Sequence, residues 1–248
     1  MALHFSDAEF AARKTRLLAS MHSAGIDALL MFRQESMYWL TGYDTFGYVF
    51  FQSLVLTADG RVVLMTRAPD LRQAQNTSNI ADIRIWVDRD GASPADDLRA
   101  ILNELGLTGG RLGVEYEAYG LTGRNAMRLN TALDGFATLV DESEMISRLR
   151  LVKSAAEIAY ARRAGELADD ALDAAHELIC GGANEGDILA AMHSAIYRGG
   201  GDDPGNEFII GSGPDALLCR YKSGRRCLDA EDQISLEWAG VYRHYHAA

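Results

Sequence analysis

Near the end of the chain, one carboxylate and two imidazoles occur close together in the sequence. Glu237 lies between Leu236 and Trp238, and His244 and His246 follow it. A carboxylate can hold a cation or take a proton from water, and an imidazole exchanges protons near neutral pH. These side-chain types are suited to a hydrolytic reaction. A metal-binding pair formed by His244 and His246 is the alternative, although no further ligands accompany them.

The polarity pattern predicts strands for this stretch. Apolar and polar residues alternate from 234 to 238, which is typical of a strand with one buried face and directs the neighbours of Glu237 away from it. After a turn or bulge, Tyr242, His244 and His246 alternate with their own neighbours. We therefore expect these three side chains on one strand face. The alternative is a half-exposed hairpin with a solvated polar face.

Composition and charge exclude several classes of partner. The formal net charge is −11, which disfavours nucleic acid and anionic membrane surfaces, because both require a basic footprint. No apolar run approaches the roughly 20 residues of a membrane span, and the N-terminus lacks the layout of a signal peptide. The three cysteines have no metal-ligand spacing, so we expect a cytoplasmic protein.

The elements before residue 142 predict an α/β domain with a mixed sheet, spanning residues 1–142. Ser6 and Glu9 form a capping box that opens a helix, and Asp59-Gly60 is the turn of a hairpin. Strands at 28–32, 83–87, 111–114 and 138–140 alternate with helices that begin near 94 and 122. No glycine-rich loop follows any strand, so a nucleotide site is not indicated.

Residues 143–248 form the second predicted domain. Ser154 and Glu157 make another capping box, and apolar residues keep helical spacing as far as residue 178. Asn184 caps a second helix that stops at the glycines from 199 to 201. Strands are expected at 208–210, 217–221 and 233–238, so the pattern is two long helices followed by an antiparallel sheet.

Three stretches resemble the creatinase/prolidase/aminopeptidase P superfamily. Residues 148–158 are similar to the entry of its catalytic domain, Gly211-Ser-Gly-Pro-Asp215 to its Gly-Ser-Gly-x-Asn loop, and Leu236-Glu-Trp-Ala-Gly-Val-Tyr242 to its Leu-Asp-x-Gly-x-x-Tyr hairpin. The resemblance implies a homodimer whose chain has a creatinase-like N-terminal domain, followed by an α+β "pita-bread" catalytic domain. We expect only the first half of that second domain here, with the C-terminal half absent, and no activity from the 248-residue chain alone.

The resemblance also bears on metals. Metal-dependent members bind two divalent ions through an Asp in the hairpin and a second Asp further along, at the places held here by Glu237 and Ala248. Alanine has no donor atom, so a two-metal site of the usual type is not expected. The family's imidazole after the Gly-Ser-Gly loop is also replaced, here by Arg220-Tyr221.

Within the superfamily, the pattern is most similar to ectoine hydrolases. This implies a hydrolase without metal or cofactor that opens the cyclic amidine of ectoine or 5-hydroxyectoine by C–N bond hydrolysis to an N-acetylated 2,4-diaminobutyrate. Arg220 would pair with the substrate carboxylate, with Tyr221 and Tyr242 completing the substrate-binding set.

The catalytic residues would be Glu237, as anion or base, and His244 and His246, as proton carriers. Two alternatives remain open. One is a metal-dependent Xaa-Pro aminopeptidase or dipeptidase, and the other is a catalytically inactive pita-bread module that binds a ligand.

Overall fold

The computed structural model describes residues 3–46, 49–217 and 224–248. Contacts between residues group the chain into two units that divide after Val152, and each unit is described by itself. The domain boundary expected at residue 142 stays a prediction. In the described part of the chain, no helix is both long enough and apolar enough to cross a membrane.

A six-stranded sheet forms the centre of the first unit. Its strands are β1 Ala28–Met31, β2 Ser53–Thr57, β3 Val62–Arg67, β4 Asp82–Trp86, β5 Arg111–Val114 and β6 Thr138–Asp141. The strand order is β4-β3-β2-β1-β5-β6. The pairs β3–β4, β1–β5 and β5–β6 are parallel, whereas β1–β2 and β2–β3 are antiparallel. The predicted mixed sheet is therefore confirmed.

Helices cover both faces of this sheet. They are α1 Asp7–Ala24, α2 Gln34–Thr41, α3 Leu71–Thr77, α4 Pro94–Glu104, α5 Gly123–Leu133 and α6 Met145–Arg150. Ala28 and Leu30 pack into the hydrophobic cluster that includes apolar residues of α4 and α5. Leu29 and Met31 pack into the other cluster, with residues of α1, α2 and α6. Because β1 is buried on both faces, its sequence is continuously apolar rather than alternating.

Local signals explain several boundaries in this unit. The Ser6 hydroxyl accepts a hydrogen bond from Glu9 N at 3.3 Å, and Gly25, with φ of 65°, ends α1 in the left-handed conformation that favours glycine. The helices α3 and α6 were not predicted. The seven residues of α3 are mostly polar and α6 has only six residues, so neither is long enough to establish a period of 3.6.

The start of α2 is held by Glu115, which lies at the end of β5. Its carboxylate is 0% exposed and accepts hydrogen bonds from Phe32 N and Arg33 N, each at 2.9 Å. It also accepts one from Ser36 Oγ at 2.5 Å. Burial raises the pKa of Glu115, and these three donors partly oppose the shift. The carboxylate that follows β5 thus anchors the backbone at the entry to the helix that carries Trp39 into the core.

The second unit packs two helices against short antiparallel strands. The elements are α7 Ala155–His176, α8 Glu185–Arg198, β7 Ile209–Ser212, β8 Ile234–Glu237, β9 Gly240–Tyr242 and β10 Tyr245–Ala247. β7 pairs with β8, and β9 pairs with β10. Apolar residues of both helices form one cluster, onto which Ile234, Leu236 and Trp238 pack. The predicted capping box of Ser154 and Glu157 is present, as is the Asn184 cap.

The end of the chain differs from the sequence-based expectation. The strand predicted to run through His244 and His246 instead reverses at Arg243 and His244, whose φ angles are 49° and 66°. These two residues form a two-residue hairpin turn of the primed type, which normally contains Asn or Gly. The predicted strand at 217–221 is also wrong at Leu217, which lies in a turn, and residues 218–221 lie outside the described residues.

Candidate active site

Glu237 ends β8 on the face of the strand that turns away from the helices. Its neighbour Leu236 packs into the helical core, and Trp238 Nε1 donates a hydrogen bond to the Ala168 carbonyl oxygen in α7 at 2.9 Å. Glu237 is exposed. Within residues 3–46, 49–217 and 224–248, no group pairs with its carboxylate. The alternation predicted from the sequence therefore holds, and it directs the Glu237 side chain away from the helices.

The hairpin β9–β10 lies very close to α7. A Cβ atom added at Gly240 would lie 1.9 Å from the Ala164 carbonyl oxygen and 2.5 Å from Ala168 N. Ala247, which pairs with Gly240 across the hairpin, comes within 4.0 Å of a Cβ built on Gly165. Only a residue without a side chain fits at position 240, so the helix and the hairpin make backbone-level contact.

Aromatic rings fix one face of the hairpin on α7. The rings of Tyr242 and Tyr245 have their centroids 5.7 and 5.9 Å from that of Tyr160, and Tyr245 OH donates to Glu157 Oε1 at 2.7 Å. The Arg243 guanidinium covers the Tyr160 and Tyr242 rings at 4.9 and 5.4 Å. Tyr242, predicted to bind substrate, is thus half-buried and packed toward the helix.

The two histidines do not share a strand face. His244 occupies the turn, whereas His246 pairs with Val241 across the hairpin and so lies on the face opposite Tyr242. His246 Nε2 accepts a hydrogen bond from Gly205 N at 3.0 Å, and its Nδ1 lies 3.1 Å from the His244 carbonyl oxygen. A neutral ring with the proton on Nδ1 satisfies both contacts. The expectation that Tyr242, His244 and His246 lie side by side is therefore wrong.

A partly buried polar cluster, which we call the Arg226 cluster, holds the Gly-Ser-Gly loop. Its members are Glu185, Ser212, Arg226 and Asp232. Ser212 is 0% exposed; its Oγ donates to Glu185 Oε1 at 2.7 Å and accepts from Arg226 Nη1 at 2.8 Å. Arg226 Nη1 also donates to Asp232 Oδ2 at 2.5 Å. The Arg226 backbone N–H donates to Glu185 Oε2 at 3.1 Å.

Sequence reasoning did not find this cluster. Its members come from α8, β7 and the connection before β8, and no helical or strand period joins them. The pKa of Asp232 lies below its ordinary value because its carboxylate accepts the Asp229 N–H and pairs with Arg226. The one available signal is the Gly-Ser-Gly loop itself, which indicated a site but not its supporting residues.

Two predicted site residues cannot be placed. Arg220 and Tyr221, expected to bind the substrate, lie outside the described residues. Their roles stay predictions.

The described residues do not fit a two-metal centre. Among residues 3–46, 49–217 and 224–248, no group of three or more His, Cys, Asp or Glu side chains is arranged to hold a metal ion. Glu237 offers a single carboxylate, and Ala248, which the family resemblance sets at the place of a second carboxylate, has only a methyl side chain. A divalent ion normally requires more oxygen or nitrogen ligands than this.

Comparison with known proteins assigns both parts of the chain. The model of the Creatinase/Prolidase N-terminal domain matches residues 13–152, and that of Metallopeptidase family M24 matches residues 159–248. An uncharacterized hydrolase/peptidase of Sinorhizobium fredii is 29% identical over 99% of this chain and 65% of its own length. An ectoine hydrolase of Halomonas elongata is 26% identical over 100% of this chain and 66% of its own length.

A solved structure shows the same fold. The prolidase from Thermococcus sibiricus superposes with a TM-score of 0.84 at 19% identity, over 98% of this chain and 64% of that one. At this identity the likeness concerns the fold alone. The chain thus spans about two thirds of the length of these relatives, with 65% for the first.

Proposed function

Because the chain belongs to the creatinase/prolidase family, we propose that the full-length protein is a hydrolase that opens the cyclic amidine of ectoine or 5-hydroxyectoine without a metal ion. The observation that carries this proposal is the donor set at the hairpin, where the family resemblance sets Glu237 and Ala248 at the places of the two metal-binding aspartates. The similarity to the Halomonas elongata ectoine hydrolase supports the substrate.

The reaction places modest demands on the protein. The amidinium carbon is already electrophilic because the ring carries a positive charge, so no Lewis acid is needed to polarise it. Water adds its oxygen to this carbon, one water proton passes to a base, and the C–N bond breaks as the departing nitrogen takes up a proton. The site must therefore supply an anion near the cation, a base for water and an acid for the nitrogen.

Glu237 is suited to the first two roles. It is exposed and has no partner among the described residues, so its charge is free to attract the amidinium and its oxygens are free to accept a proton from water. Leu236 faces the core, so the apolar neighbour does not desolvate the carboxylate. We therefore assign the role of anion or base to Glu237 from its position on β8.

The histidines are proposed as proton carriers with different constraints. His246 must release its contact with Gly205 N or with the His244 carbonyl oxygen before either ring nitrogen exchanges a proton with substrate. His244 lies in the turn that precedes it. Arg220, Tyr221 and Tyr242 remain the proposed substrate-binding residues, and the homodimer and the cytoplasmic location remain predictions.

The test is turnover of ectoine by purified full-length protein, with and without a chelator such as EDTA. Ring opening that survives chelation, and that disappears in Glu237→Gln, is the expected result. Glu231→Gln, which changes an exposed carboxylate outside the site, is the matched control and should retain turnover. Absence of ring opening contradicts the substrate. Chelator-sensitive cleavage of Xaa-Pro peptides would establish the metal-dependent alternative, and tight ligand binding without turnover would establish the binding module.

A further inference from the structure

The Arg226 cluster is attached directly to the strand pair that carries Glu237. Ser212 ends β7 and pairs with Ile234, the first residue of β8, while Ile209 at the other end of β7 pairs with Glu237. Gly213 N also donates to the Gln233 carbonyl oxygen at 2.9 Å. The cluster therefore lies at one end of this ladder and Glu237 lies at the other.

The loop is shaped to receive the ion pair. A Cβ atom at Gly213 would lie 2.5 Å from Asp232 Oδ1 and 2.9 Å from Arg226 Nη1, and φ at this glycine is +51°. Any larger residue would therefore push against both charged groups. The tight loop and the ion pair occupy the space together, so movement of one displaces the other.

Arg226 is the member that joins the others. Its Nη1 bonds to both Ser212 Oγ and Asp232 Oδ2, and its Nη2 bonds to Asp229 Oδ2 at 2.6 Å. A planar guanidinium offers several donors in a fixed arrangement, whereas a lysine ammonium is a single flexible point charge. Replacing Arg226 by an uncharged residue would leave the Asp232 carboxylate, whose side chain is only 6% exposed, without its cation, whereas lysine would keep the charge but lose the fixed set of donors.

We propose that Arg226 is a positioning residue for the reaction, because its bridge between Ser212 and Asp232 sets the register of β7 against β8 and so the place of the Glu237 carboxylate. A shift of one residue in this register would exchange the faces of Glu237 and Leu236. The inference rests on the proposed function for its link to turnover, but its structural part concerns the geometry of β8.

The first test compares Arg226→Lys with Arg163→Lys in the full-length protein. Arg163 is a matched control, since it pairs with Glu166 Oε2 at 2.7 Å and donates to the Gly199 carbonyl oxygen at 2.8 Å, away from the Gly-Ser-Gly loop. For Arg226→Lys we expect kcat for ectoine to fall about tenfold with KM changed by less than about twofold, because the base is displaced while binding groups remain. Arg163→Lys should leave kcat within about twofold of the wild-type value.

A second test does not depend on substrate. Incorporation of 5-fluorotryptophan gives a ¹⁹F resonance for Trp238, the residue after Glu237, which a Trp238→Phe spectrum assigns. Arg226→Lys should shift this resonance, because it moves the end of β8, whereas Arg163→Lys should shift it less. Ser212→Ala removes one hydroxyl from the cluster and serves as the second variant if Arg226→Lys does not fold; it should lower kcat in the same direction.

The outcomes separate the two proposals. If the wild-type protein opens ectoine and Arg226→Lys lowers kcat no more than Arg163→Lys at equal folded fraction, the positioning role is overturned. If the wild-type protein does not open ectoine, the proposed function fails. The ¹⁹F spectrum then tests whether Arg226 controls the position of β8. A selective shift of the Trp238 resonance then supports control of β8 by Arg226, and an unchanged resonance overturns it.

Discussion

Among the acidic residues of the second unit, Glu237 and Asp232 occupy opposite situations. Asp232 is bound by Arg226 and by the Asp229 backbone N–H, so its negative charge is already committed to the protein. Glu237 has no such partner in the part of the chain that the structure describes. Of the two carboxylates, Glu237 is therefore the one without a compensating partner among residues 3–46, 49–217 and 224–248.

Replacing Glu237 by Gln should abolish most turnover without affecting folding. The amide keeps the shape of the side chain but neither accepts a proton from water nor carries charge, so we expect kcat to fall by about 100-fold to 10,000-fold. The melting temperature should stay within error, because the side chain is exposed. Kinetic assays and thermal melts of Glu237→Gln beside Glu231→Gln check this, and a comparable loss in both variants would contradict it.

Asp232 should make stability depend on pH in the acid range. Its pKa in the folded protein lies below the ordinary value of 3.8, so unfolding takes up a proton. This contribution is complete above the unfolded pKa and is lost as pH falls through the folded pKa. Asp232→Asn should therefore be less stable than the wild-type protein at pH 7, and its stability should decline less steeply below about pH 4.

Urea unfolding at a series of pH values measures this dependence. Asp229→Asn is the control, because the Asp229 side chain is 73% exposed and surface ion pairs contribute little. Parallel pH curves for Asp232→Asn and the wild-type protein would show that the Asp232 pair does not contribute.

At the scale of elements, the contact between α7 and the β9–β10 hairpin determines where the chain end lies. The hairpin reaches the helix backbone through Gly240, while the ring of Tyr160 receives Tyr242 and Tyr245. Helix and hairpin are thus joined by both backbone proximity and aromatic packing. His246 is directed to the other face as a consequence.

Substituting alanine for Gly240 should disrupt this contact. The added methyl group would overlap the Ala164 carbonyl oxygen, which belongs to a helix backbone and cannot move aside, so we expect a loss of about 3 kcal/mol in unfolding free energy. Gly165→Ala is in the same interface, but its added Cβ would lie 4.0 Å from the Ala247 Cβ, an ordinary contact distance. This variant should be neutral or stabilising, since alanine favours helix. Chemical denaturation of both variants provides the measurement, and equal stability would contradict the close approach.

Local patterns predicted most elements and missed the groupings that depend on distant residues. β5, at Arg111–Val114, matches the predicted bounds, because its apolar run and flanking glycines are local signals. The turn at Arg243 and His244 was missed because neither residue favours a positive φ. The tyrosines on either side of the turn pack on Tyr160 of α7, a contact that no local pattern indicates. The Arg226 cluster was missed because its contacts join residues separated by as many as 41 positions.

At the scale of the whole molecule, each unit contains its own hydrophobic core. Among the described residues, the first unit has a cluster on each face of its sheet, and the second has a cluster between its helices and strands. A large core is the main requirement for a segment to fold alone. The two clusters of the first unit together contain more buried residues than the cluster of the second unit, so the first unit meets this requirement more fully.

The segment of residues 1–152 should therefore fold when produced alone. We expect a single cooperative transition in urea, followed by circular dichroism and by tryptophan emission from Trp39 and Trp86, which are 1% and 9% exposed. Leu98→Ala should lower the midpoint, because Leu98 is fully buried in one of the clusters. A non-cooperative or concentration-dependent loss of signal would contradict independent folding.

The burial of Ser212 bears on how this protein would behave in chemical proteomics. A serine between two glycines looks like a target for fluorophosphonate probes, which label the activated nucleophiles of serine hydrolases. Here the hydroxyl is sealed from solvent and is already engaged by Glu185 and Arg226. The folded protein should not be labelled at this serine, so a survey based on such probes would overlook it.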